Sequence, residues 1–327
     1  MAYACGWTYD AEKIAAAAER VSQAGFQFSF SADRPSLSGW WKRQQAKGVH
    51  IVAAQQDEMK LNGKFRDPNF QSVGICVECG SERAIEDRHT TMLVNQEIVG
   101  VYTRIAGEVM YGYERHQRWG PTQPYGYKGR RNDGIMGADA AAYYTTIGCI
   151  ARGVYDGIDL TKQQENLAIE WNNDGAPPIL VEACKFHQII CNSSDTWDEY
   201  ADAIAAKYWG WICLQGVFGM TQVIVGPYGT VEPDCLGPNY GHCTECCGVV
   251  TLPNGETGFL IQQSWSIDGP KYPPTIQVMG PNGEVIPFTL RPGSYCVRKS
   301  VLESIAGGQE RISCDIPSQS SFRSLAA

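Results

Sequence analysis

Pro253-Asn254-Gly255-Glu256 and Pro281-Asn282-Gly283-Glu284 constrain this chain more than any other feature. Asn-Gly is a strong signal for a tight hairpin turn. Each turn separates a pair of strand-like runs, His242–Thr251 from Thr257–Gln263 and Thr275–Met279 from Val285–Leu290. The last third is therefore expected to form local antiparallel hairpins. The first half has a helical period instead. Asp10 is placed to cap a helix carrying Ile14, Ala17 and Val21 on one face, with Gly25 as its stop. From Cys76 a helical pattern runs toward Arg88, with Val77, Ser81, Ala84 and Ile85 on one face and Glu82, Arg83, Glu86 and Asp87 filling the rest. Thr91–Tyr113 is apolar and reads as helix, as do Gly137–Gly148 and, capped by Asp195, Thr196–Lys207. Val49–Ala53 reads as a short strand. Helix first and antiparallel strand later make an α+β fold.

The 327 residues suffice for one large domain or two ordinary ones. Three segments are expected: an N-terminal extension over 1–65 (a helix plus a turn-rich stretch), a main domain over 66–306, and a polar tail over 307–327. The loop 115–134, with Lys128, Arg130 and Arg131, reads as solvated surface. A net charge of −8, from 27 basic and 35 acidic side chains, argues against a general nucleic-acid binder. No apolar run approaches the roughly 20 residues that span a bilayer, so no membrane partner is expected. Glu12, Lys13, Glu19 and Arg20 interrupt the alanines where a signal-peptide core would lie. The 13 cysteines are odd in number and scattered, which suits reduced thiols packed as small hydrophobes in a cytoplasmic setting.

Two cysteine clusters stand out, Cys76-x-x-Cys79 and His242-Cys243-x-x-Cys246-Cys247. Together they could be read as a tetrahedral zinc site. The first pair, however, sits on a helix and the second on a strand, where Cys243 and Cys246 point to opposite faces. No metal and no other cofactor is expected. The nucleophilic reading is stronger. A thiol at a helix start is favoured as thiolate by the unpaired amides and the helix dipole, and Cys76 opens its helix just after Gly74-Ile75. Such a thiol needs a histidine to hold its proton and a side-chain amide to orient that histidine. Among the five histidines, His242 follows the turn formers Gly237-Pro238-Asn239-Tyr240-Gly241 and begins a strand. Its hairpin partner ends in Gln262-Gln263-Ser264-Trp265, which returns an amide and an indole toward it.

In this order the pieces resemble the papain-like cysteine peptidase group. Gly74-Ile75-Cys76-Val77 resembles the family's Gly-Ser-Cys-Trp, and Ala84-Ile85-Glu86 its helix end. Asp133-Gly134-Ile135-Met136-Gly137-Ala138 is similar to the strip that pairs with substrate backbone. Gly241-His242-Cys243 with Cys247-Gly248-Val249 resembles the His-Ala strand, Gln263-Ser264-Trp265 the Asn-Ser-Trp, and Gly293-Ser294-Tyr295-Cys296-Val297 the closing strand. The likeness covers residues 66–305. Gln263 is one methylene longer than the family's Asn. Gln71 lies five residues before Cys76, one closer than the family's spacing. Val77 replaces a Trp, and Val73 stands where secreted members carry a cysteine. A register with Cys79 as nucleophile moves Glu86 and Gln71 out of step and puts Gly80 where the aromatic belongs.

The resemblance implies a helical subdomain carrying the nucleophile helix, packed against an antiparallel β subdomain. It implies Cys76 as nucleophile, His242 as base and then acid, Gln263 as its orienting amide and Gln71 as oxyanion donor. Gly134, Met136, Gly137 and Trp265 would line the path of a peptide or protein substrate. Residues 1–65 read as a pro-segment or a docking element. The alternative is a papain-fold structural or assembly protein with a weak or inactive site. Related chains also occur among bacteriophage proteins, so a virion component is the example, with partners met through the N-terminal extension and the tail.

Overall fold

The computed structural model of the protein describes residues 7, 10–24, 37–119, 134–237, 240–266 and 268–317. The elements that position the site are, in chain order, α1 (Ala11–Gln23), β1 (Ile51–Ala53), α2 (Ala54–Asn62), α3 (Cys76–Val94), α4 (Glu108–Glu114), α5 (Gly137–Thr146), β2 (Ile190–Ser193), α6 (Trp197–Ala205), β3 (Gly210–Leu214), β4 (His242–Thr251), β5 (Thr257–Gln262), β6 (Thr275–Met279), β7 (Val285–Thr289), β8 (Ser294–Arg298) and β9 (Gln309–Asp315). Both Asn-Gly turns form hairpins, β4–β5 closing at Thr251 opposite Thr257 and β6–β7 at Met279 opposite Val285. Gly255 and Gly283 take φ of +85° and +82°, which explains glycine at those turn positions.

The main sheet is antiparallel throughout, in the order β8-β5-β4-β3-β9-β2, with β1 added beside β4. β4 is its axis. The first half of β4 pairs with β3, His242 opposite Leu214, and the second half with β1, Val250 opposite Ile51. A register shift between Cys246 and Gly248 marks the change. Each face of the sheet feeds its own core. Cys243 joins Cys76, Cys213 and the apolar side chains of α3, α4 and α5, whereas Cys246 and Cys247 join Trp197, Tyr200, Phe259 and Leu260 beneath α6. Fully burying one such large apolar side chain contributes roughly 1.5–3 kcal/mol. The helical half packed on an antiparallel half is the α+β architecture expected.

Several local expectations change. α3 is buried on its polar side as well as its apolar side: Glu78, Glu82, Arg83, Glu86, Asp87 and Arg88 are all interior. The charges compensate one another. Arg66 bonds Glu58, Glu86 and Asp87, Arg152 bonds Glu82 and Glu108 at 3.0 Å each, and Arg291 reaches Asp87 at 2.8 Å and Glu245 at 2.5 Å. The apolar stretch Thr91–Tyr113 is not one helix. α3 ends at Val94, Gln96 takes φ +60°, and helix resumes only at Glu108. Thr196, not Asp195, caps α6, exchanging hydrogen bonds with Glu199 in a capping box.

The segment boundaries also differ from expectation. The tail contributes β9, an interior strand with Ile312 opposite Trp211 and Cys314 opposite Cys191. Its polar-looking Gln309-Glu310-Arg311 hides this, because Glu310 itself is buried. Within 1–65, β1 pairs with β4, and Ala17 and Val21 of α1 pack on Ala138 and Ala142 of α5. Asp10 caps α1 by accepting from Glu12 and Lys13 amides at 3.1 Å. Residues 120–133, with Lys128, Arg130, Arg131 and Asp133, lie outside the described residues, as do Gly25, the turn residues 238–239 and the end of the tail, 318–327. No helix among the described residues is long and apolar enough to cross a membrane.

Candidate active site

Cys76 is the first residue of α3, fully buried, where the helix has no side-chain cap. The amides of a first helical turn lack intrahelical acceptors and attract negative charge. The Cys243 backbone N–H donates to Cys76 Sγ at 3.3 Å. This one contact joins the start of α3 to the start of β4, and places the thiol beside the residue that follows His242. Glu78, in the same first turn, would oppose a thiolate if charged. Burial, reinforced by Glu108 and Glu82, drives its pKa well up and so toward the neutral form.

His242 opens β4 and is buried. Its Nε2 meets Gln263 Oε1 at 2.7 Å, and its ring stacks on Trp265 with centroids 4.7 Å apart and planes 14° from parallel. Nδ1 is buried with no hydrogen-bond partner among the described residues. Burial pulls the imidazole down to about 4, against the opposing hydrogen bond from Gln263. The covered site therefore holds a neutral ring. Gln263 sits just past the end of β5, its amide nitrogen donating to Tyr295 Oη at 3.1 Å and to the Phe218 carbonyl at 3.4 Å. The extra methylene of Gln is accommodated, and the amide oxygen reaches the histidine.

Gln71 is buried between the two halves. Its amide donates to the Val73 carbonyl at 3.2 Å and its oxygen accepts from the Ser264 hydroxyl. Ser264 adjoins Gln263, and Trp265 bridges to Phe70 in an antiparallel pair. Cys76, His242, Gln263, Trp265 and Gln71 thus converge on one junction between helix and sheet.

The glycine strip is arranged otherwise than expected. The Gly134 N–H donates to Tyr111 Oη at 2.8 Å and its carbonyl accepts from Arg115 at 3.1 Å. The Met136 N–H turns to the Asp139 carboxylate and the Gly137 N–H to Glu310 at 2.9 Å. These backbone groups serve the fold. Among the described strip residues, Ile135 forms a parallel β-bridge to Trp7. Trp7 donates its indole N–H to Glu310 at 2.5 Å and presses on Gly241, where an added Cβ would lie 2.4 Å from the Trp7 carbonyl oxygen. Trp7 therefore lies between the strip and the residue preceding His242. Sequence reasoning passed over Trp7, Glu310 and Phe218, and placed Ile135 and Tyr295 within motifs without giving them these contacts. Only Gly241, small beside a histidine, hinted at a close approach.

The fold is papain-like. It is similar to the crystal structure of xylellain, a cysteine protease from Xylella fastidiosa, over 96% of both chains with a TM-score of 0.55 and 12% sequence identity. Weaker likenesses reach procathepsin B from Trypanosoma congolense (TM-score 0.44, 13% identity, 82% of this chain and 77% of that one) and bromelain from Ananas comosus (0.41, 12%, 81% and 98%). No protein-family model and no curated protein matches the chain. At these identities the likeness carries the fold alone.

Proposed function

We propose that the chain is a cysteine peptidase, or a related acyl-transfer enzyme, acting on peptide or protein carbonyls. In this reading His242 Nδ1 takes the Cys76 proton while Gln263 holds Nε2. The thiolate attacks the carbonyl carbon, and the Cys76 N–H and the Gln71 amide receive the developing oxyanion. His242 then returns the proton to the departing amine, leaving a thioester that water cleaves with His242 as base. The observation that carries the reading is the 2.7 Å His242–Gln263 contact under the Trp265 ring, one residue from the amide that touches Cys76 Sγ. In this reading Trp7, bridged to Ile135 and packed on Gly241, stands where a substrate chain would lie, and the site is covered. Removing the cover rehydrates His242, raises its pKa and permits a thiolate–imidazolium pair.

The test is alkylation of the native protein with iodoacetamide, with labelled peptides mapped by mass spectrometry. Once Trp7→Ala removes the cover, Cys76 is expected to label faster than every other cysteine near pH 6, and His242→Ala in that background to remove the advantage. A Cys76 that labels like a structural thiol, indifferent to His242, would remove the nucleophile. One observation favours a second reading, a structural or assembly protein such as a virion component: Cys76 is wholly buried, and Trp7 packs on Gly241, the residue before His242. Slow labelling that persists after Trp7→Ala selects that reading.

A further inference from the structure

We infer that Tyr295 is a positioning residue for the histidine: its hydroxyl pins the Gln263 amide so that the oxygen, rather than the nitrogen, faces His242. A primary amide presents two donors on one side and an acceptor on the other. Here the nitrogen side meets two acceptors, Tyr295 Oη at 3.1 Å and the Phe218 carbonyl at 3.4 Å. Turning the amide over would set its oxygen against the Phe218 carbonyl and its N–H groups against His242 Nε2. Tyr295 could still meet the turned amide by donating to it, but the Phe218 carbonyl, which also accepts from Tyr272, can meet only the N–H side of the amide. The Tyr295 ring is fixed by stacking on Tyr272 (4.5 Å) and contact with Phe218 (5.4 Å), and Tyr272 Oη donates to the same Phe218 carbonyl at 2.5 Å.

The consequence is a tautomer. With Gln263 Oε1 accepting, neutral His242 carries its proton on Nε2 and leaves the Nδ1 lone pair bare. With the amide turned, Nε2 would have to accept, the proton would move to Nδ1, and the ring could no longer take a proton there. Gln has one more rotatable bond than Asn, so the longer amide needs an external clamp. The tautomer rests on these hydrogen bonds, whereas its effect on Cys76 rests on the peptidase reading above. The other titratable groups acting on Tyr295 are Asp234 and Cys247, and neither contributes to the His242 shift.

The test is long-range ¹H–¹⁵N NMR of the histidine rings in the labelled full chain, with Cys76 alkylation followed across pH in parallel. Wild type is expected to show His242 as the Nε2–H tautomer alone. Tyr295→Phe should introduce the Nδ1–H form and slow Cys76 alkylation about tenfold near pH 6. In a Gln263→Ala background, Tyr295→Phe should add nothing. An unchanged tautomer in folded Tyr295→Phe, or an equal slowing in the Gln263→Ala background, overturns the inference. If the tautomer responds while Cys76 is no more reactive than other thiols, the clamp stands and the peptidase reading falls. If Cys76 is hyper-reactive while the tautomer is indifferent to Tyr295, the clamp falls and the peptidase reading stands.

Discussion

Gln263 is the residue on which the site turns. It accepts from His242 and donates to Tyr295 and Phe218, a span that the shorter Asn cannot bridge in full. Gln263→Asn is expected to slow Cys76 alkylation about tenfold near pH 6, and Gln263→Ala about a hundredfold. Rates equal to wild type would mean that something else orients the imidazole. Cys76, His242, Gln263 and Trp265 are legible from chain order alone, because the helix start, the strand start and the hairpin return are local signals. Phe218 carries no such signal, and the closing-strand motif that contains Tyr295 says nothing of its contact with Gln263. They come from separate segments that only the sheet brings together, one on β8 and one in the loop after β3.

Among the elements, α3 departs furthest from its pattern. An amphipathic pattern implies solvent on the charged side, but a second layer of arginines from distant segments covers it. Arg291, fully buried, compensates Asp87 of α3 and Glu245 of β4 at once, tying the two halves together. Removing one partner of a buried pair leaves the other uncompensated and costs about 3–5 kcal/mol. Arg291→Leu is therefore expected to lower the urea midpoint steeply, and a midpoint within experimental error of wild type would contradict the bridging role. The N-terminal segment makes a separate prediction. Gly241→Ala puts a methyl into the Trp7 carbonyl, and Trp7→Ala removes the indole from Glu310. Either change should displace the cover and speed Cys76 alkylation about tenfold. No acceleration in both variants would mean that Trp7 does not limit access.

Over the whole molecule, buried titratable groups set opposing pH limbs. Burial depresses His242 and His89 to about 4 from an ordinary 6.5. The unfolded chain then binds protons first, so their stabilising contribution is complete above about pH 6.5 and is lost as pH falls toward 4, on the order of 3 kcal/mol each. Glu82 and Glu114, raised by burial to about 7, act oppositely: their contribution is complete below their ordinary 4.5 and fades as pH rises through 7. Thermal midpoints measured across pH should show His89→Asn flattening the acid limb and Glu114→Gln the alkaline limb. Parallel curves for variants and wild type would place the sensitivity elsewhere.

Signals that act over a few residues — periodicity, turn chemistry and capping — are enough to set the α+β order, both hairpins, the helix that opens at Cys76 and the chain order of Cys76, His242 and Gln263. Long-range packing chose which acidic side chains are buried with arginines, made an interior strand of a polar-looking tail, and laid Trp7 against Gly241. It also selected Ile135 over its glycine neighbours as the pairing residue of the strip. Each of these depends on a partner far away in the chain. A carboxylate or an amide reads the same in sequence whether water, an arginine or a tyrosine satisfies it. Its role is settled only when folding has chosen that partner.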